Sequence, residues 1–133
     1  MTRPLATFAA ILVLTLVFPP AASAQTQADM NRSADSDFRR ADSSLNTAYR
    51  QLLEAHRDDT LAVRKIRVAQ RAWVAFRNAQ LEAVFPADDK QTYGSMYPME
   101  VSILATELTQ QRTAQLRSWV GSDDASGVTL RCR

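Results

Sequence analysis

The chain has 133 residues, 46% hydrophobic and 23% charged, with a formal charge of +2. That length allows one domain. Its basicity comes from 14 Arg against only two Lys, with no dense basic block, so nucleic acid is not an expected partner.

Residues 1–24 have the layout of an export signal. Arg3 is the positive start, Leu5–Phe18 is apolar except for Thr7 and Thr15, and Pro19-Pro20 breaks the run. Ala22-Ser23-Ala24 fits the small-x-small cleavage rule, leaving Gln25 as the first mature residue. The run falls short of the roughly 20 apolar residues of a membrane span, so no membrane partner is expected after cleavage. The mature chain would carry 15 basic residues against 14 acids. A charge so near neutral argues against strong steering toward a basic partner. The only cysteine, Cys132, lies beside the end. It reads as a tail thiol or as half of an intermolecular disulfide.

Residues 25–34 are polar and are expected to be loose. The predicted helical domain covers 35–120. Its first helix is predicted over 35–57, because Phe38, Asp42, Leu45, Tyr49, Leu52 and His56 recur at steps of four and three. Asp58-Asp59-Thr60 offers capping oxygens, and so short a connection turns the second helix back antiparallel. That helix is predicted over 61–85. Its seam is Val63, Ile66, Gln70, Trp73, Arg77, Gln80 and Val84, and Pro86 marks its end.

A loop follows over 86–94. Ser95 is expected to cap a third helix whose seam is Val101, Ala105, Leu108, Arg112, Leu116 and Trp119. Gly121 is expected to stop it, leaving a mobile tail over 121–133. The predicted architecture is all-α, an antiparallel three-helix bundle preceded by a cleavable signal peptide, with each helix about 35 Å long.

Each seam carries a polar residue: Asp42, Gln70 with Arg77, and Arg112. A buried charge is costly without a partner. These residues are therefore expected to meet, with Asp42 accepting from Arg77, Arg112 or both, and with Asn46 and Gln70 completing the set. The cluster reads as a device that fixes register, or as a site.

The residues offer no catalytic, cofactor or metal site. His56 is the only histidine. Asp58-Asp59 and Asp88-Asp89 could in principle serve as acid and base, but capping and solvation explain them. Met96 and Met99 with His56 have copper-binding chemistry, yet two Met at a helix start read as packing.

Five segments in order carry a resemblance: Thr-Gln-Ala-Asp-Met-Asn-Arg-Ser (26–33), Ala-Asp-Ser-Ser-Leu-Asn-Thr-Ala-Tyr (41–49), Ala-Gln-Arg-Ala-Trp-Val-Ala-Phe-Arg-Asn (69–78), Gly-Ser-Met-Tyr-Pro-Met (94–99) and Glu-Leu-Thr-Gln-Gln-Arg-Thr-Ala-Gln-Leu (107–116). Together they resemble the LprI-type lysozyme-inhibitor domain over nearly the whole mature chain. The resemblance implies a small, exported, helical envelope domain with lysozyme inhibition as its activity; the lack of site chemistry separately argues against an enzyme. Its implied partner is a lysozyme or another wall-cutting hydrolase. The family usually has cysteines where this chain has Ser33, Leu81 and Leu104, which implies a looser N-terminal segment here. An inhibitor would plug a cleft with a rigid loop, and Asp88, Asp89, Tyr93, Gly94, Ser95 and Tyr97 are the candidate contact residues. The alternative is a periplasmic interaction or immunity-type protein with no lysozyme activity.

Overall fold

A computed structural model describes the backbone of residues 26–125 and the side chains of residues 26–120. The predicted signal sequence, the end of the tail and Cys132 lie outside the described residues. Three long helices follow in order, α1 (Gln27–Ala55), α2 (Thr60–Val84) and α3 (Tyr97–Ala125), with a short 3-10 segment, Lys90–Met96, before α3. Among the described residues there is no strand.

Helix α1 begins eight residues earlier than its apolar stepping suggests. The Thr26 side chain accepts from the Asp29 N–H, and the Asp29 carboxylate accepts from the Thr26 N–H, which closes a capping box. The same Thr26 contacts, with Arg32 nearby, hold the Asp29 carboxyl below its ordinary pKa. Ala34 is buried, and the Asn31 side chain donates to the Ser95 carbonyl at 3.0 Å. The segment expected to be loose is thus capped, packed and tied to the far loop.

Helix α2 starts on Asp59, whose carboxylate accepts from the Leu61 and Ala62 N–H groups at 3.0 and 2.9 Å. Gly121 does not stop α3, which continues to Ala125. A C-terminal glycine stop requires a left-handed residue, and Gly94 is the only glycine with positive φ among the described residues.

Consecutive helices run antiparallel, so α1 and α3 run parallel: Met30 and Met99 line one groove between them near one end, and Ala41 and Thr113 line another further along. This parallel pair makes the closest packing in the fold. The cause is side-chain size. Ala34, Ala41 and Ala48 recur every seven residues on α1 and are buried, as are the small residues Ala105, Thr109 and Thr113 on α3. Helix α2 presents larger groups, Ile66, Trp73 and Arg77, and so stands further off. Leu45, Leu52 and Leu116 are fully buried, with Tyr49, Ile66, Trp73, Trp119 and Val120 packed around them. Each of those leucines contributes about 1.5–3 kcal/mol by leaving water.

The seam of α3 differs from its prediction at one turn. Thr109 is fully buried while Leu108 is only half-buried. The Thr113 hydroxyl donates to the Thr109 carbonyl at 2.8 Å, which satisfies it inside the helix and lets a threonine serve as a small core residue. Val84, predicted on the α2 seam, is exposed because the helix ends there. Leu81 and Leu104 are both half-buried.

Candidate functional site

Two assemblies of polar and aromatic groups stand out. The first spans the middle of the bundle. Arg77 reaches from α2, and its Nη1 lies 3.3 Å from Asp42 Oδ1 on α1 and 3.5 Å from Thr109 Oγ1 on α3. The Asn46 amide donates to the other Asp42 oxygen at 3.0 Å. Arg112 on α3 donates through Nε to Gln70 Oε1 at 3.1 Å and through Nη1 to Gln115 Oε1 at 2.5 Å. It makes no ion pair among the described residues, so Asp42 serves Arg77 alone. Burial pushes the Arg112 guanidinium below its ordinary pKa.

Aromatic rings make up for the missing carboxylate. Arg77 stacks over Phe38 at 5.5 Å and over Trp73 at 5.3 Å. Arg112 stacks over Trp73 at 6.0 Å and over Trp119 at 5.1 Å. Ring and cation alternate from Phe38 through Arg77, Trp73 and Arg112 to Trp119, using all three helices. The negative ring faces stabilise guanidinium groups that lack water. Two nitrogens, Arg77 Nε and Arg112 Nη2, are buried with no hydrogen-bond partner. The sandwich geometry holds each guanidinium by its faces and leaves part of its edge unmet.

The second assembly is the end of the bundle where α1 and α3 begin and α2 stops. Phe85 meets Tyr93 and Tyr97 edge-on, at 5.4 and 5.2 Å, and the two tyrosines stack at 5.5 Å. The Tyr93 hydroxyl accepts from the Ala87 N–H at 2.8 Å. Lys90 donates to Glu82 at 2.7 Å and to the Phe85 carbonyl at 2.6 Å; its pKa is raised chiefly by Glu82. Asp89 caps the 3-10 segment by accepting from the Gln91 N–H. The connection is a closed knot, where the sequence suggests a plain loop.

The six candidate contact residues therefore divide. Asp88, Asp89, Gly94 and Ser95 are exposed, whereas Tyr93 and Tyr97 are half-buried against each other and Phe85. The tyrosines hold the connection together and do not stand out as free anchors. Gly94, with φ 72° and ψ −165°, occupies a region open only to glycine. A Cβ there would touch nothing within 4 Å. Gly94→Ala is therefore expected to lose about 1–3 kcal/mol from backbone strain alone, measured as a fall in the urea midpoint with an unchanged slope.

Beside this knot, Met30, Ala34, Met99 and Ile103 floor a groove of about 290 Å³ between α1 and α3, with Asp37 and Glu107 on its rim. This groove has no counterpart among the sequence-based expectations.

The remaining candidates do not come together. His56 caps the far end of α1, a bundle length from Met96 and Met99. Asp58-Asp59 and Asp88-Asp89 lie at opposite ends of α2, too far apart to act on one bond.

Charge is segregated along the bundle. Asp29, Asp35 and Asp37 pair with Arg32, Arg39 and Arg40 of their own helix, and Glu82 pairs with Lys90. Asp88, Asp89, Glu100 and Glu107, all toward the knot end, make no ion pair among the described residues. Neither do Arg64, Lys65, Arg67 and Arg71 on α2, toward the other end. A nearly neutral total hides a molecule with an acidic end and a basic one.

The family model described as lysozyme inhibitor LprI matches residues 19–116. An uncharacterised protein of Rhizobium meliloti (strain 1021) is 37% identical over 115 residues, covering 78% of this chain and 81% of that protein. No solved structure matches the chain.

Proposed function

The chain belongs to the LprI lysozyme-inhibitor family, and from that premise we propose that it is an exported envelope protein that binds and inhibits a lysozyme or a similar wall-cutting enzyme. The contact surface is the knot end, through Asp88, Asp89, Gly94, Ser95 and the exposed edges of Tyr93 and Tyr97. The observation that carries this reading is the set of exposed acids without an ion pair toward the knot end, Asp88, Asp89, Glu100 and Glu107, the last of them on the rim of the apolar groove. Such a surface suits a basic enzyme that presents an apolar side chain beside a cation. No catalytic step is assigned to this chain. The polar layer in mid-bundle serves as the register device.

A second reading, a periplasmic interaction or immunity-type protein without lysozyme activity, draws on the tyrosine knot. The rings there face each other, and the end lacks the free aromatic anchor typical of tight inhibitors.

A turbidity assay of wall lysis by a basic lysozyme separates the two. The purified protein is expected to slow lysis. The triple variant Asp88→Lys, Glu100→Lys, Glu107→Lys should need at least about tenfold more protein for the same protection, since each reversal opposes a basic partner. No protection at excess protein across lysozyme types would favour the second reading, and a pull-down from periplasmic extract would then identify the partner.

A further inference from the structure

We propose that the outward face of α2 is a docking surface for an anionic lipid membrane. Helix α2 carries two apolar stripes. One faces the bundle. The other steps along the solvent side through Leu61, Lys65, Val68, Ala72, Phe76 and Ala79, all exposed. Its large members are not edge residues of the core: Leu61 is 53% exposed, Val68 49% and Phe76 53%.

The charges beside that stripe behave unlike those of α1. On α1, Arg32, Arg39 and Arg40 each pair with an aspartate one turn away. On α2, Arg64, Lys65, Arg67 and Arg71 have no acid three or four residues away in either direction. With Arg57 and Thr60, three of these arginines line a shallow groove on the flank of the stripe. An exposed apolar strip edged by unneutralised cations is the pattern of a helix lying in a membrane interface. Alanines between the large residues let the helix lie flat.

A basic enzyme is repelled by such a face, so it remains free when the acidic end is engaged. A flat strip also fits an extended surface better than a single small anion. No described helix is long and apolar enough to cross a membrane, so the attachment is peripheral. It adds a surface contact to a chain for which the sequence predicted no membrane partner after cleavage. The inference does not depend on lysozyme binding.

The test is co-sedimentation of the purified protein with vesicles of equal parts phosphatidylglycerol and phosphatidylcholine, or of phosphatidylcholine alone. Binding is expected to the mixed vesicles and to weaken in high salt. Arg67→Glu with Arg71→Glu should weaken it at least about thirtyfold, given the contribution of each basic residue near an anionic surface. Phe76→Ser should weaken it severalfold, and Arg32→Glu with Arg39→Glu, the same charge change on α1, should not. All these side chains are exposed, and far-UV circular dichroism reports whether each variant keeps its helices. The proposal is overturned by absence of binding, by equal binding to pure phosphatidylcholine, or by insensitivity to Phe76→Ser. It is also overturned if soluble polyphosphate binds as tightly as the vesicles, which would assign the face to a free polyanion.

Discussion

Trp73→Ala is expected to be among the most destabilising single changes in the chain, costing about 3–5 kcal/mol. The indole has three neighbours to lose. It packs on the cluster of Leu45, Ala48, Leu52 and Leu116, and it lies between the guanidiniums of Arg77 and Arg112. Removing it opens a cavity between α2 and the other helices. It also takes a ring face from two cations that have few other partners. A domain of this size has roughly 5–15 kcal/mol in total, so the thermal midpoint should fall by at least about 12 °C. Trp73→Phe keeps a ring face in the sandwich and should lose only about 1–2 kcal/mol. Thermal unfolding followed by far-UV circular dichroism checks both values.

Arg112 gives the second large effect, and its variants separate packing from charge. Arg112→Ala should cost about 2–4 kcal/mol, because a buried long side chain is removed and Gln70 loses the donor to its amide oxygen. Arg112→Met keeps most of the volume and removes a cation that has no carboxylate and an unmet Nη2. Its remaining cost is the stranded Gln70, about 1–3 kcal/mol. The double variant Arg112→Met, Gln70→Leu should recover that loss and reach or exceed the parent, since apolar replacements of buried charged sets are often neutral or stabilising. A double variant as unstable as Arg112→Ala would mean that the arginine contributes net stability of its own. Urea unfolding of the four proteins measures this.

Asp42 differs from Arg112. Its side chain is 42% exposed against 14% for Arg77, so the pair lies at the edge of the core. Water screens it in part, and its removal strands a guanidinium that retains Phe38 and Trp73.

The stepping of apolar residues made most of the bundle legible. Phe38 to His56 and Val63 to Gln80 lie on inward faces, and Asp42, Gln70, Arg77 and Arg112 occupy the middle of those faces. Three features escaped it for distinct reasons. Thr109 and Thr113 are core residues disguised by hydroxyls, which the helix itself satisfies or Arg77 meets. The first two turns of α1 carry few large apolar residues; their stability comes from the Thr26 and Asp29 cap and the tie to Ser95, and the second is visible only in three dimensions. The segregation of charge is invisible to a net total, because pairing along α1 cancels arginines that α2 leaves uncancelled. The aromatic knot was half legible. Tyr93 and Tyr97 stand out in the sequence as the large side chains of the connection, whereas Phe85 does not, and its contact with both rings turns them inward.

The claim that cations held between rings couple the three helices is tested most directly by a double-mutant cycle across α2 and α3. Trp73→Leu and Arg112→Met are made singly and together, and unfolding free energies are measured in urea. The sandwich predicts a coupling of about 1 kcal/mol or more. Single losses that add to the double loss within about 0.3 kcal/mol would contradict it.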